Sequence, residues 1–161
     1  MDSTNYGDLG FIRVMAVAPE LRLADPAANA AQIVQHTADA ASRGASIVVF
    51  PELATTGYSC EDLFFSQDLR QAAQLALAEI AAATTDIVCV VGTPFLLEDG
   101  RLLNCAAVMS QGRVCGLVPK IAQPNYGEFY ERRWFASGAN VDATISDATL
   151  GTFRVTPTQL F

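Results

Sequence analysis

Two charged residues stand where apolar runs end, each directly after a proline: Phe50-Pro51-Glu52 and Val118-Pro119-Lys120. Burying a charge is costly unless it is paired or put to use. In open α/β sheets ligands bind in the crevice at the carboxyl ends of strands, so a carboxylate and an ammonium on two such ends can face one cavity. Two readings stay open. One is a structural ion pair between Glu52 and Lys120. In the other, Glu52 is a general base for a thiol or hydroxyl nucleophile, and Lys120 stabilises the oxyanion formed when that nucleophile attacks a carbonyl. Proline fixes the backbone and removes one donor at each exit, which suits a rigid site.

Other chemistries have less support. His36 is the sole histidine and falls on the expected solvent face of a helix, so a serine-histidine site is disfavoured. Cys60, Cys89, Cys105 and Cys115 have no Cys-x-x-Cys spacing and, with one histidine, cannot make up a zinc site. They read as reduced, mostly buried thiols.

The elements that must position Glu52 and Lys120 follow from period and punctuation. Phe11 to Ala18 reads as a first strand, stopped by Pro19. Asp25-Pro26 offers an N-cap and a proline at the first helical position, and Gly44 a terminator, so Ala27 to Arg43 reads as a helix. Its inward stripe is Ala30, Ile33, Val34, Thr37, Ala38 and Ala41. Ile47 to Phe50 has the wholly apolar form of a strand covered on both faces. A second helix follows over Gln67 to Ala83, then strands over Ile87 to Val91, Arg101 to Met109 and Arg113 to Pro119. Weak strands read at Ala143 to Ile145 and Gly151 to Val155. This order implies an α/β layered fold. Lys120 to Gly138 is a long polar-aromatic stretch without strand period, and long loops in compact domains are usually functional. Helices on one face alone would leave the other face of the sheet wet, so further sequence or another chain is expected to complete the fold.

With 161 residues, 51% apolar and 17% charged, the chain is sized for one domain or part of one and is not a disordered acidic chain despite a net charge of −7. Ten basic residues against 17 acidic ones give no footprint for a phosphate backbone, so no nucleic-acid partner is expected. No apolar run approaches the ~20 residues that span a bilayer, so no membrane partner is expected. Met1-Asp2-Ser3-Thr4-Asn5 lacks the features of an export signal, which makes a cytoplasmic location the expectation.

Phe50-Pro51-Glu52-Leu53, Thr56-Gly57-Tyr58 and Glu61-Asp62-Leu63, followed by Pro119-Lys120, Pro124-Asn125-Tyr126, Glu128-Phe129 and Glu131-Arg132, resemble the nitrilase (carbon-nitrogen hydrolase) superfamily. The similarity runs from Phe11 to Phe161. Its Gly-Tyr-x-x-Glu-Asp-Leu and Pro-Asn-Tyr-x-Glu-Phe-Tyr-Glu-Arg segments are similar to the glutaminase domains of glutamine-dependent NAD synthetases in particular.

The resemblance implies an αββα sandwich, here expected in truncated form, and a Glu-Lys-Cys triad. On matching positions Glu52 is the implied proton acceptor, Lys120 the implied lysine, and Glu128 an additional glutamate holding the lysine and nucleophile. Tyr126, in the Pro-Asn-Tyr segment, is implied to contact glutamine, and Tyr58 to line the pocket as a second substrate-binding residue. Residue by residue, the alternatives are aromatics packed on the sheet for Tyr58 and Tyr126 and a solvated charge for Glu128. The nucleophilic cysteine has no counterpart among the 161 residues. Cys60-Glu61-Asp62 imitates its signature inside a segment where the family has none. Residues 1–161 therefore read as the N-terminal part of a glutaminase domain, inactive alone. No cofactor is implied for this part, whereas ATP and magnesium are implied for a synthetase domain outside the chain. A homo-oligomer is also implied. Two other readings remain: a stand-alone amidase or carbamoylase, and a non-catalytic binding or assembly module of the same fold.

Overall fold

The computed structural model describes residues 6–161. The N-terminal pentapeptide, read above for the absence of an export signal, lies outside the described residues. No helix is long and apolar enough to cross a membrane, among the described residues.

Both helices begin where the sequence provides a cap. Helix α1 (Pro26–Ser42) starts on Asp25, whose side chain accepts from the Ala28 N–H at 3.1 Å, with Pro26 inside the first turn. It ends at Arg43 and Gly44, the latter at φ +72°. Helix α2 (Gln67–Ala83) starts on Ser66. The two helices pack together and bury Ala30, Ile33, Thr37 and Ala40 of α1 beside Ala73, Ala76, Leu77 and Ile80 of α2. Two details of the expected α1 stripe change: Ala38 is exposed while Ala40 is buried, and His36 is half-buried rather than fully solvated.

The strands are β1 (Val14–Ala16), β2 (Ile47–Val49), β3 (Val88–Leu96), β4 (Leu102–Ser110), β5 (Arg113–Pro119), β6 (Ala143–Asp147) and β7 (Gly151–Val155). They form one mixed sheet in the order β1-β2-β3-β4-β5-β7-β6. β1, β2 and β3 are parallel, β3-β4-β5 is an antiparallel meander, and β7 lies parallel to β5. The first strand is shorter than expected, and Phe11 and Ile12 lie exposed ahead of it. β3 is longer than expected. It runs through Pro94 because its pairing with β2 ends at Val90, after which a missing N–H on that side costs no ladder bond.

Alternation divides the sheet into two unlike faces. Val48, Cys89, Val91, Ala107, Met109 and Leu117 point to the helices and form the main core. Ile47, Val49, Val90, Ala106 and Val118 point the other way, where no described helix lies. Val14 (51% exposed) and Val49 (37%) show how open that face is. This is an α/β fold with one helical layer and one sheet layer, half of the αββα sandwich that the resemblance implies. A smaller core of Leu53, Cys60, Phe64, Leu69, Leu102 and Phe135 sits beyond the strand ends. The Lys120–Gly138 stretch is irregular as expected apart from one 3-10 turn, Glu131–Arg133.

Candidate active site

Glu52 leaves β2 through a turn that the neighbouring strand shapes. Phe50 N–H still donates to Val90 O (2.8 Å), and the Pro51 carbonyl then accepts from Gly92 N–H (3.2 Å). A Cβ on Gly92 would sit 2.6 Å from Glu52 Cα and collide with Leu53 N, so only glycine lets the turn lie against β3. Leu53 takes φ +53°, unusual for a leucine, and its fully buried side chain in the smaller core holds it there. Lys120 leaves β5 in similar fashion. Its N–H donates to Asn104 O (2.8 Å), and its carbonyl accepts from Gly138 N–H (2.9 Å). A Cβ on Gly138 would lie 2.6 Å from Pro119 Cβ.

The two exits bring the charged groups together. Lys120 Nζ donates to Glu52 Oε1 at 2.6 Å and to both carboxylate oxygens of Glu131 at 2.9 Å. Glu131 is 1% exposed, and the Tyr58 hydroxyl donates to its Oε1 at 2.7 Å. Asn104 Nδ2 donates to Glu52 Oε1, the oxygen that Lys120 also engages. The group borders an open cleft of about 330 Å³ on the uncovered sheet face, lined by Val49, Val90, Gly92, Ala106 and Val118 with Glu52, Asn104 and Lys120.

Electrostatics keep the donors protonated. Burial pulls the Lys120 ammonium down, but the hydrogen bonds and charges of Glu52 and Glu131 outweigh it and raise its pKa above the usual lysine value. Burial, and then the bond to Glu131, pushes the Tyr58 phenol well above its ordinary range. At neutral pH Lys120 is therefore a cation and Tyr58 a hydrogen-bond donor. The arrangement can accept a proton at Glu52 and present a positive charge beside it.

Of the residues singled out from sequence, Glu52, Lys120 and Tyr58 converge. Tyr126 does not join them: it is 72% exposed and stacks edge-on against Phe129 with ring centroids 5.6 Å apart. It lines a neighbouring hollow with Gln123, Pro124, Asn125 and Arg132. The contact with Lys120 implied for Glu128 is made by Glu131. Glu128 follows Gly127 (φ +58°) on an exposed turn, whereas Glu131 opens the turn that leads into the packed Trp134-Phe135 pair. That adjacent apolar pair is the sequence signal that separates the two glutamates.

Sequence reasoning also missed Asn104, Gly92 and a clamp at Asp62. Arg133 donates to both oxygens of Asp62 at 2.6 and 2.7 Å, and Trp134 Nε1 donates to Oδ1 at 2.9 Å. The Arg133 bonds, then the Trp134 bond, hold the Asp62 carboxyl well below the usual carboxylate range. The clamp joins the turn after Tyr58 to the turn that carries Glu131. None of the four cysteines bonds to Glu52 or Lys120. Cys60 and Cys105 are buried, and burial raises both thiols. Among the described residues there is no group of three or more metal-ligating side chains.

A model of the carbon-nitrogen hydrolase family matches residues 12–156. The chain belongs to the carbon-nitrogen hydrolase family. Among curated carbon-nitrogen hydrolase relatives, glutamine-dependent NAD(+) synthetase of Mycobacterium tuberculosis is 40% identical over 149 residues, 89% of this chain and 22% of the relative. The Acinetobacter baylyi enzyme of the same name is 37% identical over 110 residues, 68% of this chain and 20% of its own. The chain thus spans about a fifth of the length of the curated relatives it matches. Among solved structures, a glutamine-dependent NAD(+) synthetase from Cytophaga hutchinsonii superposes with a TM-score of 0.83 at 31% identity, over 90% of this chain and 25% of that one. An amidase from Nesterenkonia sp. shares the carbon-nitrogen hydrolase fold at a TM-score of 0.65 and 24% identity, over 84% of this chain and 51% of that one.

Proposed function

We propose that this chain supplies the acid-base half of a glutaminase centre: hydrolysis of the glutamine side-chain amide, with the ammonia consumed in ATP-dependent amidation of nicotinic acid adenine dinucleotide. The observation that carries the reading is the Lys120 ammonium held between the Glu52 and Glu131 carboxylates at the border of a cleft. Similarity to glutamine-dependent NAD(+) synthetases over most of the chain supports the choice of substrate.

In this reading a cysteine from outside the 161 residues is the nucleophile, and Glu52 takes its thiol proton. A C–S bond forms as the carbonyl π electrons move onto oxygen, and Lys120 stabilises the resulting oxyanion. Collapse breaks the C–N bond, and Glu52 returns the proton to the departing ammonia. Water then attacks the thioester and Glu52 accepts its proton; the C–S bond breaks to release glutamate, and Glu52 passes that proton to the departing thiolate, which restores both groups. Glu131, and not Glu128, anchors the ammonium. Tyr58 acts through Glu131, while Tyr126 offers an exposed aromatic to the incoming substrate.

ATP and magnesium belong to the synthetase reaction. A cytoplasmic, homo-oligomeric protein that binds neither nucleic acid nor membrane completes the proposal. The test is glutamine hydrolysis by the full-length protein carrying Glu52→Gln or Lys120→Ala. Loss of at least ~100-fold in kcat is expected for either. Retained hydrolysis overturns the assignment, and preference for a free small amide over glutamine moves the reading to a stand-alone amidase.

A further inference from the structure

Asn104 is a polar side chain in the apolar strand β4, and it is only 3% exposed. It belongs to the uncovered face with Gly92, Ala106 and Val118. Its two ends serve both exits. The side-chain amide donates to Glu52 Oε1, and the backbone carbonyl accepts the Lys120 N–H at 2.8 Å. A carboxylate only accepts, so the Nδ2 end must face it. Glu52 Oε1 therefore receives two donors, Asn104 Nδ2 and Lys120 Nζ, while no protein donor among the described residues reaches Oε2.

We infer that Asn104 is a positioning residue: it pins Oε1 of Glu52, fixes the carboxylate plane, and leaves Oε2 as the atom that receives the nucleophile's proton. The inference rests on the proposed amide hydrolysis. Asparagine suits the position by both shape and chemistry. Aspartate keeps the shape but sets a second acceptor against Glu52, and leucine keeps the bulk but offers no donor. The other ionisable groups around Glu52 are Lys120, Glu131 and Tyr58, so an added carboxylate at position 104 would be offset by a single cation.

The experiment compares Asn104→Asp and Asn104→Leu with the unsubstituted full-length protein, reading kcat, KM and the pH profile of kcat/KM for glutamine. Asn104→Leu is expected to lower kcat roughly ten- to a hundredfold, the worth of a hydrogen bond to a charged group, with KM changed less than about twofold. Asn104→Asp is expected to lose more and to shift the acid limb of the profile to higher pH, because two carboxylates facing each other hold a proton more tightly. A wild-type profile in both variants, or a loss confined to KM, overturns the inference. A second measurement needs no variant at Asn104. The Nδ2 proton resonances of Asn104, read in the full-length protein with selectively labelled asparagine, should shift with pH, and Glu52→Gln should abolish the shift. A pH-invariant signal overturns the inference. If the unsubstituted full-length protein fails to hydrolyse glutamine, the proposed function fails, while the resonance still decides whether Asn104 senses Glu52.

Discussion

Lys120 carries three N–H bonds and meets three carboxylate oxygens, one from Glu52 and two from Glu131. Its hydrogen-bonding capacity is filled at rest. A neutral carbonyl competes poorly for a donor held by a carboxylate, whereas a developing oxyanion competes well, which favours the transition state over the bound amide. Glu131→Gln removes one of the two counter-charges. It should lower kcat by about tenfold or more, a larger effect than Glu128→Gln, measured side by side in the full-length protein. The pH dependence has a definite sign. Because the Lys120 value is raised on folding, its contribution to stability is complete below the ordinary lysine value of 10.5 and is lost as pH climbs through the higher folded value. Glu131→Gln should start that loss at lower pH, which Nζ-detected titration in the full-length protein would follow. Glu52 and Lys120 were legible in the sequence because proline and an apolar strand precede each charge. Asn104 was not, since a lone asparagine inside an apolar run carries no period or spacing that points to its partner.

At the level of elements, the helices and the β4-β5 hairpin followed from caps, turns and period, and α2 and β5 match their expected bounds. The turns that aim the site were harder to read, because side chains distant in sequence bring them together. Asp62 and Arg133 are 71 residues apart, and the link between them depends on the whole fold. Two substitutions probe these supports. Gly92→Ala must push the Glu52 turn off β3, and a cost of ~1–3 kcal/mol is expected in denaturant unfolding, with hydrolysis lost alongside. Asp62→Asn should loosen the clamp at neutral pH. Trp134 is the only tryptophan, so its fluorescence reports the change directly. In the unsubstituted chain the Asp62 contribution is present above the ordinary aspartate value and disappears as pH falls through its lowered folded value. The same fluorescence change should therefore appear only in strong acid. An emission spectrum insensitive to both treatments would remove the clamp from the account.

Considered as a whole, the molecule has one finished side and one unfinished side. The helices close over Val48, Cys89 and Met109, while Val14, Val49 and Val118 line the opposite side with no helix over them among the described residues. Contiguous apolar surface of this kind associates. The 161-residue chain should form oligomers or aggregates at micromolar concentration in light scattering, and Val49→Lys should reduce them. Sequence alone anticipated a face left wet, from the count and order of helices. It did not anticipate that the candidate site would lie there. Glu52 and Lys120 border the same open face, so whatever partner surface seats on those valines also forms the roof over the carboxylate and the ammonium. On the proposed function, cover and chemistry are then coupled: Val49→Lys in the full-length protein, which hinders anything apolar from seating on that face, should slow glutamine hydrolysis although it leaves Glu52, Lys120 and Asn104 in place.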